Sequence, residues 1–331
     1  MSILTAVRVE KYWKLTRKTF QFSPKFNAVR GGNSTGKTTL FSAIKFALSD
    51  ENSSVNDPLG DVTLTFQDNN GGNFSFRRLR SGGNSKYFFN EDKVEFTEYS
   101  EELKQIGVKL TVEHVVYLDS WINMIENPKE VLNLLESLNP KVSALKAECE
   151  ELGRDIKKAK KQDFVRQAMK QPMKMAKTTN IEEMEAKIEK INKKRIRHVK
   201  RSIEAISALA TRNYQQICQK PNVSLKMELE ENPLDGVIMS QSDGGFVYHE
   251  QFSGGQKARG AMALVLAVAE RSENSFVIFD NLDNTIFQEH FPIVSKGIHA
   301  VSNEIQVIIG SRFKELAGSA ESEIRLTELL D

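Results

Sequence analysis

Through the first hundred positions apolar and polar residues alternate, with one interruption. "ILTAVRVEKYWKL" and "KTFQFSPKFNAVRGG" read as early strands, and "DVTLTFQDNNGGNFSFRRLRSGGNSKYFFNEDKVEF" alternates between Gly/Asn turns as an antiparallel meander. The interruption is "TLFSAIKFALSD", whose apolar residues fall at helical spacing. Asn139-Pro140 is a cap followed by a first-turn proline, and from Val142 the chain runs long and charged, with Gly153 its one turn signal before Pro172. Thr179 and Glu182 read as a capping box opening a second helix. Ile181, Met184, Ile188 and Ile191 then follow heptad spacing, as do Ile196, Val199, Ile203 and Ile206 after a phase shift. Two such arms of ~30–37 residues, each ~45–55 Å long, predict a protruding antiparallel coiled-coil hairpin. The alternative is two long helices packed on the globular core. After Cys218 strands return, and the buried runs "SFVIFD" and "EIQVIIGS" alternate with helices, which implies a largely parallel core. The expected class is α/β, a mixed sheet with helices and a meander. Its parts are an N-terminal lobe at 1–140, the hairpin at 141–216 and a C-terminal lobe at 217–331.

Composition adds limits. The chain has 331 residues, 40% of them hydrophobic and 27% charged, enough for a substantial core. Cys149 and Cys218 form no metal-type cluster and fit a reducing compartment. No apolar run is long enough for a bilayer, and "MSILTAVRVEKYW" lacks a signal-peptide layout, so a soluble cytosolic or nuclear protein without membrane partners is expected. The net charge of +2 conceals an imbalance: Lys141 to Gln215 holds about twenty basic and about ten acidic side chains. The dense runs "KKAKK" and "NKKRIRHVKR" are either a solvated helix face or a DNA-binding surface built on Lys157, Lys158, Lys193 and Lys194.

Three motifs carry chemistry. "GGNSTGKTT", Gly31 to Thr39, follows a strand and opens a helix. In such a loop Gly31, Asn33 and Gly36 let the backbone wrap phosphate, Lys37 reaches the β/γ-phosphates, Thr38 ligates Mg²⁺, and Thr39 completes the first turn. "FVIFD" delivers Asp280 as a second magnesium-side ligand. "FSGGQ" offers Ser253, Gly254, Gly255 and Gln256 at a helix N-terminus, a second surface suited to phosphate. ATP with Mg²⁺ is the expected cofactor.

In this order the motifs resemble ATP-binding-cassette (ABC) ATPases, in which one subunit's signature caps the nucleotide on its partner's phosphate loop. The helical insertion between phosphate loop and signature is similar to the structural-maintenance-of-chromosomes (SMC) superfamily, whose two terminal halves form one head at the base of a coiled coil. "AIKFALSDE", "RRLRSGGNSKYFF", "NLLESL", "FDNLDNTIFQEH" and "IGSRFKEL" lean toward the third SMC subunit of cohesin. The resemblance implies an ATP-sandwiched dimer with a second SMC-type head, a kleisin-type linker subunit, and a place on chromosomes in the nucleus, or in the cytoplasm of a prokaryote.

Several positions depart from the family's pattern. Asn281 stands where the catalytic glutamate belongs, and an amide cannot take water's proton at neutral pH. The D-loop aspartate falls at Phe287, the magnesium-sensing glutamine at Leu118, and the switch histidine of many ABC proteins at Arg312. The paired lysines acetylated in the cohesin subunit fall at Gly83 and Asn84, and a DNA-contacting arginine near Asn56. Weak or lost hydrolysis at its own site is the expectation. An active ATPase of the SMC-related DNA-repair branch is the alternative; Thr38-Thr39 suits it, but no CxxC marks the coil tip. A transporter ATPase subunit fits less well with a charged heptad hairpin.

Overall fold

The computed structural model describes residues 2–49, 59–81, 84–108, 114–168, 178–242, 246–248 and 251–326. The predicted break at Pro172 and the positions Asn56 and Gly83 lie outside them, as do the side chains of the predicted cap at Thr179. In chain order the elements are β1 (Ile3–Tyr12), β2 (Leu15–Gln21), β3 (Phe26–Arg30), α1 (Lys37–Ala47), β4 (Gly60–Gln67), β5 (Asn73–Ser81), β6 (Asn84–Phe89), β7 (Asp92–Val94), α2 (Phe96–Gln105), β8 (Val115–Tyr117), α3 (Leu118–Ile125) and α4 (Pro128–Ser137). There follow α5 (Pro140–Ala168), α6 (Thr178–Cys218), β9 (Ser224–Leu229), β10 (Val237–Ser242), β11 (Phe246–Tyr248), α7 (Gly254–Arg271), β12 (Phe276–Asp280), α8 (Phe291–Val301), β13 (Gln306–Ser311), α9 (Lys314–Ala317) and β14 (Ser322–Arg325).

Alternation in the first third becomes a six-stranded sheet of order β2-β1-β4-β5-β6-β7, antiparallel throughout. The non-alternating runs become a parallel five-stranded sheet of order β14-β3-β13-β12-β8. Every residue of β12 and β13 is buried, so these strands have no polar face to alternate. Helix α1 packs on β1, β4 and β5 of one sheet and on β8 and β12 of the other, placing Leu40, Phe41 and Ile44 at the centre of the core. The approach is close: a Cβ on Gly310 of β13 would stand 2.7 Å from the Phe41 ring. Gln306, 2% exposed, joins the two sheets, accepting from the Leu4 amide at 2.9 Å and donating to Leu4 O and Ser23 O at 2.8 Å each. Three satisfied bonds allow a polar side chain to sit there.

The chain divides into two compact units: Met1–Glu126 with Ile206–Lys226 and Ser240–Asp331, and Asn127–Ala205 with Met227–Met239. Within the second, α5 and α6 run antiparallel, tied by Glu148–Lys187 at 2.8 Å and Lys160–Glu185 at 2.7 Å. Asn139 caps α5 as its sequence predicts, accepting from the Lys141 amide at 3.1 Å. Of the heptad residues, Ile191, Val199, Ile203 and Ile206 are buried, while Ile181, Met184, Ile188 and Ile196 are half-buried. The buried Glu136 on α4 meets Arg195 of α6 at 2.6 Å and Lys146 of α5 at 3.1 Å, so one carboxylate pins three helices. Lys157, Lys158, Lys193 and Lys194 are exposed. Lys158 and Lys193 pair with carboxylates on their own helices, Asp155 and Glu189, in surface ion pairs worth little to stability.

Candidate functional site

The site forms outside the carboxyl ends of the parallel strands, where ligands of open α/β sheets bind. The loop leaving β3 turns through Ser34 (φ 63°) and Gly36 (φ 98°) before α1 begins at Lys37. Such alternation between right- and left-handed backbone aims successive N–H groups inward and makes an anion-binding concavity. The loop is anchored at its start, where the Gly31 amide donates to Ser311 O at 3.2 Å. Side chains fill its underside: a Cβ on Gly31 would fall 2.3 Å from Thr35 Oγ1. Asn33 and Thr38 face solvent, Thr39 is half-buried, and Lys37 is only 6% exposed. Its Nζ donates to Gly31 O and Gly32 O at 2.8 Å each. Burial lowers the Lys37 pKa and the Arg312 charge adds to that, while Asp283 and Asp280 raise it.

Asp280 ends β12, beside the strand that anchors the loop. It is 2% exposed; the Thr38 hydroxyl and the Asn281 amide approach its carboxylate, but neither oxygen receives a bond of full hydrogen-bond geometry. Burial raises its pKa; the Thr38 hydroxyl, the Asn281 amide and the Lys37 ammonium offset this only in part. A buried, unsatisfied carboxylate is costly unless something else completes its shell. A cation between Asp280 and Thr38 would do so. Among the described residues no group of three or more His, Cys, Asp and Glu converges. A metal here would therefore rest on one carboxylate, one hydroxyl and phosphate oxygens, the sparse set that Mg²⁺ accepts.

This cost has a testable sign. The raised pKa means the fold penalises the ionised form above that pKa, and the penalty disappears as pH falls and Asp280 protonates in both states. Asp280→Asn should therefore melt above the parent at neutral pH without nucleotide, and the gap should close toward acid. A variant melting below the parent at neutral pH would show that the carboxylate has a partner.

Beyond Asp280 the chain takes a left-handed residue, Asn281 (φ 55°), then a 3₁₀ turn over Leu282–Asn284. Asparagine tolerates that conformation better than most residues. Asp283, nearly buried, accepts from the Arg312 backbone amide at 3.1 Å and from Arg312 Nε at 2.7 Å, and Arg312 Nη2 donates to Asn284 Oδ1 at 2.9 Å. Arg312 thus clamps the turn carrying Asn281 to the end of β13. The sequence marks Arg312 as a departure but gives Asp283 no role. A second acid three residues after Asp280 was the available signal.

Ser253 starts α7 with a full capping box: its Oγ accepts from the Gln256 amide at 3.3 Å, and Gln256 Oε1 accepts from the Ser253 amide at 2.8 Å. Gly254 has open space where a Cβ would be; a Cβ on Gly255 would lie 3.8 Å from Arg259 Nη1 and from the Phe287 ring. Phe287, where the family resemblance puts the D-loop aspartate, is 63% exposed beside this motif. Helix α3 packs on α7 and begins with Leu118, which is buried. The capping bonds of Ser253 and Gln256 close within the motif, and Gln256 O accepts from Gln241 Nε2 at 3.3 Å. Lys37 bonds within its own loop, and the structure brings Lys37 and Thr38 together with Asp280.

The RecF/RecN/SMC N terminal domain family matches residues 3–329. Structural maintenance of chromosomes protein 1 of Caenorhabditis elegans is 26% identical over 204 residues, 56% of this chain and 16% of that protein's length. The chain therefore spans a small part of the curated relative it matches. Among solved structures, the Smc head domain with an extended coiled coil from Pyrococcus furiosus, bound to the C-terminal domain of ScpA, superposes with a TM-score of 0.65 at 22% identity, covering 99% of this chain and 95% of that one. An SmcHead bound to the C-winged helix domain of ScpA gives 0.68 at 19% identity, covering 98% and 93%. At these identities the likeness establishes the α/β head fold.

Proposed function

This chain belongs to the RecF/RecN/SMC N-terminal domain family, and we propose that it is a head that binds ATP–Mg²⁺, dimerises around it and hydrolyses it poorly at its own site. The observation that carries this reading is the orphaned Asp280 carboxylate beside a phosphate loop whose lysine is already desolvated. Gly31, Asn33, Gly36, Lys37, Thr38 and Thr39 would hold the phosphates, and Thr38 with Asp280 the metal. When bound, the metal supplies charge neutralisation at the β- and γ-phosphates. Ser253, Gly254, Gly255 and Gln256 would close the nucleotide of a second head.

Within the family we place the chain near the third SMC subunit of cohesin, with a heterodimeric partner head, a kleisin-type linker and a chromosomal role in the nucleus. The solved heads bound to ScpA domains support a linker of that kind. Ser253→Arg tests the sandwich, because it puts bulk and charge where phosphate would sit while sparing the phosphate loop. ATP-dependent association, read by sedimentation with candidate partner heads, should be abolished with ATP affinity unchanged. Association of the variant at parental strength would refute the arrangement.

The exposed Lys157, Lys158, Lys193 and Lys194 make α5 and α6 a candidate DNA grip. Neutralising all four should flatten the salt dependence of duplex binding, by about 0.9 in slope for each phosphate that is no longer neutralised. An unchanged slope would return them to a solvated face.

A further inference from the structure

Helix α7 carries Ser253–Gln256 at its start, and its body is apolar: Ala261 through Ala269 are all buried. Burial of that kind holds a helix in the core but is non-directional. Directional bonds fix how far the helix slides or turns, and they come from the last turns of α6. At the far end of α7, Glu270 accepts from Asn213 Nδ2 at 2.9 Å and pairs with Arg212. At the near end the link runs through Gln241 of β10. The Tyr214 hydroxyl donates to Gln241 Oε1, and Gln241 Nε2 donates to Gln256 O at 3.3 Å. All of these residues belong to one compact unit.

Donor and acceptor chemistry permits one arrangement of this relay. The Gln256 carbonyl can only accept, so the Gln241 amide must turn Nε2 toward it, and Oε1 then needs a donor on its other side. Tyr214 supplies that donor. Burial pushes the phenol's pKa up, so the hydroxyl stays protonated at neutral pH. Tyr214 is 2% exposed and Gln241 1%, so neither end of the amide has bulk water as an alternative partner. A Cβ on Gly260, one turn beyond Gln256, would stand 3.5 Å from Gln241 Nε2, so the amide lies along the helix itself. Without the hydroxyl the amide is free to rotate, and Oε1 can then face a carbonyl oxygen.

We propose that Gln241 is a positioning residue for the Ser253–Gln256 surface and that Tyr214 orients it. Their bonds set the place of the first turn of α7, and so where Ser253 Oγ and the Gly254 and Gly255 amides stand. This role rests on the proposed function, in which that surface closes over the nucleotide of a second head.

Amide hydrogen exchange on the intact chain reads the first turn without any partner, because the Gln256 amide is bonded to Ser253 Oγ and the Lys257 amide to Ser253 O. Tyr214→Phe removes one hydroxyl and should speed exchange at Gln256 and Lys257 by about tenfold. ATP-dependent association with candidate partner heads should weaken by a similar factor, with the chain's own ATP affinity unchanged. The same variant leaves Gln241 Oε1 buried and unpaired, so it should melt below the parent. Adding Gln241→Met removes both polar partners and should restore most of that stability. Exchange at Gln256 and Lys257 should stay fast in the double variant, which loss of stability alone does not produce. The proposal is overturned if Tyr214→Phe leaves those amides at the parental rate, or if the double variant regains protection along with stability. It is also overturned if ATP affinity falls in step, or if association holds in Tyr214→Phe while Ser253→Arg abolishes it. Should Ser253→Arg associate as the parent does, the sandwich fails, and the exchange rates still judge the relay.

Discussion

Lys37→Ala is expected to lose ATP affinity by on the order of 10²-fold or more while leaving the fold intact. The ammonium is nearly buried, and both of its observed bonds go to carbonyls of the loop that would receive phosphate. Charge-assisted bonds of this kind are worth about 1.5–3 kcal/mol each, and two of them to phosphate oxygens account for the loss. Stability should move the other way or not at all. Burial disfavours the charged form of Lys37, so its removal takes away a desolvation cost along with two short hydrogen bonds. Calorimetric titration with ATP–Mg²⁺ beside a thermal melt separates the two effects. A variant that binds within a few-fold of the parent would mean that the loop does not hold phosphate through this side chain.

Asn281→Glu should raise steady-state ATP turnover by about 10²–10⁴-fold, the usual contribution of a positioned general base. The residue follows Asp280 directly and is half-buried, next to the proposed phosphate cradle. It also has φ 55°, where glutamate is strained by about 1–2 kcal/mol, so the more active variant should melt at lower temperature. Gain of activity with loss of stability distinguishes a restored catalytic position from general repair of the fold. Phosphate release by parent and variant checks it; robust release by the parent would refute the impaired-site reading.

How much of this was legible in the sequence follows from the range of the interactions involved. The glycine-rich turn into α1, the strand ending at Asp280 and the helix start at Ser253 are legible because each depends on a few consecutive residues with fixed backbone needs. The meander was legible for the same reason, its strands being one turn apart. Asp283 and Arg312 are 29 positions apart and meet only because β13 lies beside β12. Gln306 reaches Leu4 across 302 positions, and no local pattern in "EIQVIIGS" distinguishes it from a solvent-facing glutamine. "ILTAVRVEKYWKL" reads as one strand, and only the backbone places Trp13 at a turn within it. The motif order leads to a head fold that the solved heads share.

If this protein keeps ATP rather than consuming it, the fate of the bound nucleotide will show it. The chain is loaded with labelled ATP and Mg²⁺, freed of excess nucleotide, and quenched at intervals with and without a candidate partner head. The label co-purifying with the protein should stay ATP for many times the seconds-or-less turnover of an ordinary enzyme. Conversion of the bound label to ADP on that ordinary timescale, by the chain alone, would contradict it.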